Sequence, residues 1–261
     1  MLLQFYKYQG TGNDFVLIDN RTDFFPKNNT KLVSSLCDRH FGIGADGLIL
    51  LENDSEADFK MIYYNSDGNP SSMCGNGGRC LVAFAKLLGI IEDKASFSAT
   101  DGLHTATVDS ANRVCLQMQD VPHVRQKPNY TFLDTGSPHH VQLVEQLQEF
   151  NVRKEGAKLR FGLYGQKGSN INFVEPDPGE GFSIRTYERG VENETLSCGT
   201  GVTAAALAMH HSKVTDATNI ILHTLGGDLE VTFEKDGEGY KNVHLTGPAQ
   251  LVFKGEIICS D

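Results

Sequence analysis

The segments "MCGNGGRC" (residues 73–80) and "SCGTGVTAAALA" (residues 197–208) share one pattern, a cysteine followed by Gly-x-Gly and an apolar run. Such a run predicts a helix that begins directly after the cysteine. A single Cys-Gly pair is equally well explained as a tight turn that holds a buried sulfur. Two copies of the same device favour a shared chemical role for Cys74 and Cys198.

The two segments belong to a longer internal repeat, because several other pairs keep the same separation of 124 residues. The pairs are Cys74 with Cys198, Gly75 with Gly199, Gly77 with Gly201, "TGND" (11–14) with "TGSP" (135–138), and Gly102 with Gly226. The polar, proline-containing stretch "VRQKPNY" (124–130) separates the halves. The sequence therefore predicts two homologous lobes, residues 1–125 with Cys74 and residues 126–261 with Cys198.

Short apolar or alternating segments bounded by Gly, Asn or Asp predict strands in both halves. They include "DFVLID", "LILLE", "FKMIYYN", "TATVD" and "VCLQM" in the first half, and "YTFLDTG", "LRFGLY", "INFVEP", "FSIRTYE", "LEVTFE" and "QLVFKG" in the second. Helices are predicted at 79–89 and 202–212, with smaller ones at 30–40 and 139–149. The alanine-rich helix at 202–212 is apolar nearly all round, which indicates burial inside a curled sheet. The predicted fold is α+β, with two pseudo-symmetric strand-rich lobes, each a sheet curled around a central helix, and an active site in the cleft between them.

Composition excludes several classes of function. The chain has 261 residues, enough for two lobes with proper cores, and a formal net charge of −10, which disfavours nucleic acid as a partner. There is no charged-then-apolar leader and no apolar run of membrane-spanning length, so we expect no membrane association and a cytoplasmic location. The six cysteines lack the paired spacing of zinc sites, so no metal is expected. Cys37, Cys115 and Cys259 lie in apolar stretches and are expected to be buried.

A thiol at the start of a helix lies where unpaired N–H groups and the helix dipole favour negative charge. Such positions lower a cysteine pKa from about 8.5 to roughly 3.5–7.5. Two such thiols suit a reaction in which one removes a proton from a carbon and the other returns a proton to its opposite face. A cysteine hydrolase is the competing enzyme class, but it needs one cysteine and a paired histidine, with no use for a second matched cysteine.

The ordered motifs "GTGNDF", "GIGADG", "NSDG", "MCGNGGRC", "SPHHV", "YERG" and "ETLSCGTG" closely resemble those of the diaminopimelate epimerase family, over nearly the whole chain. The related proline racemases share the two-lobed fold, but their first motif resembles CGHG where this chain has CGNG. The resemblance implies an isomerase that interconverts LL- and meso-diaminopimelate on the route to lysine and peptidoglycan. It implies no cofactor, in particular no pyridoxal phosphate, and a homodimer, although the residues themselves do not define an oligomeric state.

The resemblance also implies roles for individual residues. Cys74 and Cys198 match the two acid–base thiols, and His139 and Glu188 match groups that adjust the pKa values of those thiols. The matching substrate-binding residues are Asn13, Asn65, Gly75, Asn76, Asn170, Glu188, Arg189, Gly199 and Thr200. Without the family motif, His139 is more simply a structural histidine, and the pair Glu188–Arg189 is more simply a solvated charge pair. For Asn65, which precedes Ser-Asp-Gly, a turn residue remains a strong interpretation.

Two positions depart from the family pattern, Ser137 where many members carry Asn, and Gly47 where some carry Gln. Both affect the expected recognition of the distal end of the substrate and neither touches a thiol. Two other functions remain open at this point: a racemase or epimerase of another amino acid on the same scaffold, and a non-catalytic binding module. A binding module would tolerate Ala or Ser at the two cysteines, so the intact pair argues against it.

Overall fold

A computed structural model of the chain describes residues 1–71, 73–179 and 181–259. These residues form two compact units, one made of residues 1–116 together with the C-terminal residues from 248, and the other made of residues 117–247. The predicted boundary is at residue 125, with the C-terminus in the second lobe. The C-terminal strand instead lies in the first unit, because residues 250–258 pair with the strand at residues 2–10.

The regular elements are, in chain order, β1 (Leu2–Gly10), β2 (Asn13–Asp19), α1 (Thr30–Cys37), β3 (Gly47–Glu52), β4 (Phe59–Asn65), α2 (Gly75–Leu87), β5 (Lys94–Ala99), β6 (Gly102–Val108), β7 (Arg113–Gln117), β8 (Val124–Gln126), β9 (Thr131–Asp134), β10 (Pro138–Leu143), a 3-10 turn (Leu147–Glu149), α3 (Val152–Gly162), β11 (Asn170–Pro176), β12 (Phe182–Glu188), β13 (Asn193–Thr195), α4 (Gly199–His211), β14 (Asn219–Thr224), β15 (Gly227–Asp236), β16 (Gly239–Pro248) and β17 (Gln250–Ile258).

The first unit is a mixed sheet with the strand order β17-β1-β2-β3-β4-β5-β6-β7, in which β2–β3 and β4–β5 are parallel and the other neighbours are antiparallel. Strand β17, at one end of this order, and strand β6, next to the other end, both contact helix α2, so the sheet curls around it. Leu81, Val82 and Phe84 of α2 are fully buried, each contributing about 1.5–3 kcal/mol.

The second unit repeats this plan with the order β8-β9-β10-β11-β12-β14-β15-β16, in which β10–β11 and β12–β14 are parallel. The sheet curls around α4, which contacts strands from β9 to β15. Residues 201–209 of α4 are all buried, as predicted for a helix enclosed by a sheet. The small alanine side chains let the surrounding strands approach the helix closely. The predicted fold class is therefore confirmed in each unit.

The repeat is regular at the central helices and shifts elsewhere. Both α2 and α4 have 13 residues, and their starts, Gly75 and Gly199, are 124 apart. In the following hairpins, Gly102 pairs with Ala99, and Gly227 pairs with Thr224. The structural counterpart of Gly102 is thus Gly227, with a φ of 132° against 126°. The predicted match with Gly226 was wrong by one residue, because the segment between helix and hairpin is one residue longer in the second unit.

Two local predictions were wrong. The helix expected at 139–149 is strand β10 followed by a short 3-10 turn, since these residues pair with β9 and β11 on either side. The strand expected at 159–164 lies mostly in α3. Asn151 caps α3 by accepting a hydrogen bond from the Lys154 N–H, and Val152, Gly156 and Arg160 are buried at four-residue spacing. The four-residue spacing of these buried residues is that of a helix, and it outweighs the short apolar run that predicted a strand.

Candidate active site

Cys74 and Cys198 each occupy the residue that precedes a central helix. Their backbones are extended, with φ −109° and ψ 123° at Cys74, and φ −127° and ψ 109° at Cys198. Neither thiol makes a capping hydrogen bond to its helix. The Cys74 and Cys198 carbonyl groups accept the first helical bonds, from the Gly78 and Val202 N–H groups. The thiols therefore lie at the positively polarised helix ends without serving as caps.

Two other sequence-predicted residues, Asn13 and Asn76, come together with Cys74, and we name this cluster of three the Cys74 site. The thiol lies 3.6 Å from Oδ1 of Asn13, and the Asn76 amide donates to the same oxygen at 3.2 Å. The Asn13 amide nitrogen in turn donates to Asp46 at 2.7 Å. Because Asn13 has a carboxylate on its nitrogen side, its oxygen is held toward Cys74 and Asn76.

A charged network that has no motif in the sequence supports Asn13. Lys7 contacts Asp14 at 2.6 Å, and Arg39 bridges Asp14 at 2.8 Å and Asp46 at 2.7 Å. Burial alone would raise the pKa of Asp14, but hydrogen bonds from Arg39 and Lys7 outweigh it and lower that pKa to about 2. The network thus keeps the Asp14 carboxylate charged. The members of the network are spread over residues 7 to 46, so no short sequence pattern identifies them as one group.

Arg79 is a buried cation at the start of α2. Its side chain is 0% exposed, donates to Oδ1 of Asn76 at 3.0 Å and lies 3.4 Å from Oγ1 of Thr11. Burial lowers the pKa of Arg79 to about 10, against an opposing electrostatic effect of Cys80 and Cys74. Its counterpart at the 124-residue offset is Thr203, which donates to the Gly199 carbonyl at 3.0 Å. The two helix starts therefore differ by one buried positive charge.

The second cluster, named the Cys198 site, contains Cys198, Thr200, His139, Asn170 and Asn172. A Cβ built on Gly201 would lie 2.5 Å from Oδ1 of Asn172 and 3.3 Å from the Cys198 sulfur, so the asparagine lies close to the thiol. Cys198 is 9% exposed, with its sulfur 3.5 Å from Oγ1 of Thr200. His139, in β10, lies 3.1 Å from the Asn172 amide nitrogen through Nδ1 and 3.4 Å from the Asn170 amide nitrogen through Nε2.

His139 is neutral near pH 7. Its side chain is 0% exposed, and this burial, together with the positive charge of Arg189, lowers its pKa to about 3. Its neighbour His140 is buried against Tyr130 and hydrogen-bonds the Tyr164 hydroxyl at 2.8 Å.

Asn170 links the Cys198 site to Arg189. Its Oδ1 accepts a hydrogen bond from the Arg189 backbone N–H at 2.8 Å, and its amide nitrogen donates to the Ser137 hydroxyl at 3.1 Å. The Arg189 guanidinium donates to the same hydroxyl at 3.3 Å and to the Lys167 carbonyl at 3.0 Å. Ser137, one of the two departures from the family pattern, therefore accepts two donors and connects the asparagine to the exposed arginine.

The remaining sequence-predicted residues lie at strand ends. Glu188 ends β12, and its Oε2 accepts a hydrogen bond from Thr195 at 2.9 Å. Asn65 ends β4, is exposed, and its backbone forms a turn with Gly68 and Asn69, which fits the turn interpretation. Gly47 pairs with Asn65, and a Cβ at Gly47 would lie 2.5 Å from the Tyr63 ring. The aromatic ring thus fills the space that a side chain at 47 would need.

Three further features concern disulfides, metal sites and membrane-spanning helices. The six cysteines carry thiols and no disulfide. Within residues 1–71, 73–179 and 181–259, no group of three or more His, Cys, Asp or Glu side chains is arranged to hold a metal ion. In the same ranges, none of the helices has the length and apolar content that crossing a bilayer requires.

Comparison with known proteins identifies related sequences over the whole chain. The family model described as Diaminopimelate epimerase matches residues 5–124 and 131–252. The chain is 60% identical over 256 residues to a diaminopimelate epimerase of Flavobacterium psychrophilum, covering 98% of this chain and 100% of that protein. It is 43% identical to the corresponding protein of Chlorobaculum tepidum, covering 95% of this chain and 98% of that one.

Solved structures at low sequence identity share the fold. A PhzF-family phenazine biosynthesis protein of Bacillus anthracis superimposes with a TM-score of 0.77 at 13% identity, covering 99% of this chain and 100% of that chain. A hydroxyproline epimerase of Agrobacterium vitis, solved with bound trans-4-hydroxy-L-proline, gives a TM-score of 0.73 at 16% identity, covering 98% of this chain and 92% of that chain. At these identities the likeness shows the two-lobed fold alone.

Proposed function

The chain belongs to the diaminopimelate epimerase family, and from that premise we propose that it interconverts LL- and meso-diaminopimelate with Cys74 and Cys198 as its acid and base. The observation that carries this proposal is the repeated helix start, where each cysteine has extended backbone and no capping role. We propose that the reaction serves lysine and peptidoglycan precursor synthesis.

In the proposed reaction one cysteine acts as a thiolate and takes the α-hydrogen of the substrate as a proton. The bonding pair stays on the α-carbon and spreads into its carboxylate. The thiol of the other cysteine then delivers a proton to the opposite face, the pair forms the new C–H bond, and that sulfur keeps the negative charge. One turnover thus inverts the carbon and moves the charge from one sulfur to the other, with no net change in protons.

The charge that develops on the substrate carboxylate needs donors that are already in place. The first-turn N–H groups at Gly75–Asn76 and at Gly199–Thr200 are suited to this, because helix N-termini bind carboxylates through aligned N–H groups and the helix dipole. We assign Asn13, Asn65 and Asn170 to contacts with the amino and carboxylate groups of the substrate. Arg189 is suited to a carboxylate because its guanidinium can donate two parallel hydrogen bonds.

We further propose that His139 and Glu188 influence the charge state of the thiols without carrying the transferred proton. His139 is neutral and buried, so it can serve as a hydrogen-bond donor but is a poor proton store near pH 7. Glu188 bears a carboxyl group held by Thr195, and it lies beside Arg189 in the chain.

The direct test incubates the purified protein, treated with a chelator and freed of carbonyl cofactors, with LL-diaminopimelate and follows the isomers by chiral chromatography. L-Proline and trans-4-hydroxy-L-proline serve as alternative substrates. Formation of meso-diaminopimelate, with no change in the two prolines, is expected. Conversion of another amino acid in preference to diaminopimelate would overturn the substrate assignment, and binding without conversion would support a binding module. Light scattering of the same preparation tests the homodimer that the family resemblance implies.

A further inference from the structure

The side-chain amide of Asn172, in β11, has an orientation that its neighbours determine. One of its terminal atoms lies 2.9 Å from the His140 carbonyl oxygen, and the other lies 3.0 Å from the Thr186 hydroxyl. A carbonyl oxygen only accepts hydrogen bonds, so the atom facing it must be the NH2 group. The Asn172 oxygen therefore accepts from Thr186, and the nitrogen donates to His140.

The same NH2 group lies 3.1 Å from Nδ1 of His139, so Nδ1 must accept and carries no proton. Since a neutral imidazole holds one N–H, that proton is on Nε2. The orientation of Asn170 is settled in the same way, because its oxygen accepts the Arg189 backbone N–H at 2.8 Å. Its NH2 group thus faces Nε2 at 3.4 Å, and two donors do not bond to each other. Among the described residues, the contacts of His139 Nε2 supply no acceptor for its proton.

The first unit carries apolar residues at the two positions that correspond to His139 and Asn172. By strand register, Phe15 and Ile49 are the counterparts of His139 and Asn172, since Phe15 pairs with Gly47 as His139 pairs with Asn170. A Cβ on Gly77 would meet the Ile49 and Phe15 side chains. A Cβ on the matching Gly201 would meet Oδ1 of Asn172. The fold thus accepts an apolar pair here, and the second unit carries a buried polar pair instead.

We propose that Asn172 is a positioning residue for the proposed epimerase reaction, which holds His139 as the neutral tautomer with its proton on Nε2. In this state His139 presents an N–H donor to an anion, either a thiolate or a substrate carboxylate, and is unable to donate from Nδ1. This inference rests on the proposed function only for its consequence in catalysis. The tautomer itself is a property of the resting protein.

The resting protein tests the first part without any substrate. Nitrogen-15 NMR of protein labelled at histidine distinguishes a protonated ring nitrogen from an unprotonated one, and the loss of one resonance pair in His139→Gln assigns the signals. We expect an unprotonated Nδ1 and a protonated Nε2 between pH 6 and 8. A protonated Nδ1, or a fully charged imidazole, would overturn the proposal whatever the enzyme's substrate.

Two variants then separate positioning from packing. Asn172→Asp replaces the donor by an acceptor and is expected to move the proton to Nδ1. Asn172→Leu removes the donor and is expected to leave a mixture of tautomers. In both, kcat should fall by about tenfold or more with a smaller change in KM, because an incorrect tautomer is costly in acid–base sites.

The matched control is Thr186→Val, which removes a different hydrogen bond from the same amide. The His140 carbonyl still orients the amide in this variant, so the Nε2–H signal and most of the activity should be retained. If Asn172→Asp kept the wild-type tautomer, or if Thr186→Val changed it as much as Asn172→Asp, Asn172 would be a packing residue only. If Asn172→Asp moved the His139 proton as expected but the wild-type protein did not act on diaminopimelate, the proposed function would be refuted. The positioning of His139 by Asn172 would still stand.

Discussion

Cys74 and Cys198 occupy equivalent backbone positions, each in extended conformation directly before a helix of 13 residues. Their surroundings differ. Cys74 contacts the Asn13 amide oxygen, while Cys198 contacts the Thr200 hydroxyl, and only α2 carries a buried arginine at the position where α4 has threonine. The repeat thus supplies two similar helix starts with different neighbours.

Replacing either thiol should remove activity. Because both groups are needed for each inversion, Cys74→Ala and Cys198→Ala should each nearly abolish epimerisation, and the double variant should lose little more. Chiral chromatography measures the activity, and circular dichroism checks the fold. Cys115→Ala is the control, expected to stay active. Retention of more than about a tenth of the activity in either variant, a deficit below about 1.4 kcal/mol, would contradict the two-thiol mechanism.

Heavy water should label the product before the substrate. A thiol that has delivered its proton is left as a thiolate and takes up a new proton from water before the next encounter. The proton that it then delivers therefore comes from the solvent. From LL-diaminopimelate at low conversion, mass spectrometry should find deuterium at the inverted carbon of the meso product and almost none in recovered LL substrate. A single base that serves both faces would return the original hydrogen, so unlabelled product in quantity would reject two separate thiols.

Alanine at the two motif glycines should have unequal effects. In Gly201→Ala the new Cβ would lie 2.5 Å from the fixed Asn172 amide oxygen, so we expect a loss of about 1–3 kcal/mol in unfolding free energy, together with reduced kcat. In Gly77→Ala the nearest atom, at 2.9 Å, is the end methyl group of Ile49, which can turn away. The helix preference of alanine, worth about 1 kcal/mol, offsets that adjustment. Urea unfolding compares them, and equal losses would mean that Asn172 is not fixed.

The charge state of Asp14 should make the stability of the protein decrease at low pH. Its pKa is about 2 in the folded protein, where Arg39 and Lys7 oppose the effect of burial, against about 3.9 in an unfolded chain. Its contribution is therefore fully present above about pH 4 and is lost as the pH falls toward 2. The difference in urea midpoint between wild type and Asp14→Asn should be large at pH 6 and should decrease as the pH falls from 4 to 2. The exposed Asp216→Asn serves as control, and a gap independent of pH would show that the ion pairs contribute nothing.

The sequence alone determined the features that depend on short stretches of chain. The cysteine before Gly-x-Gly and an apolar run predicts a helix start, and the 124-residue spacing predicts two copies of one fold, because such patterns follow from helix geometry and turn chemistry. Asn76 and Thr200 lie close to Cys74 and Cys198 because each is only two residues along the chain from its cysteine. The local pattern gave a wrong prediction at 139–149, because strand pairing there forms β10 where a helix was predicted.

Only the tertiary structure decided which distant side chains meet. The parallel pairing of β10 with β11 joins His139 to Asn172 across 33 positions, and the carbonyl of His140 then fixes the amide that determines where the histidine proton lies. The network of Lys7, Asp14 and Arg39, and the return of β17 to β1, arise in the same way. The physical reason is that hydrogen-bond direction and burial depend on strand register and packing, which are properties of the folded chain and leave no periodic signal in the sequence.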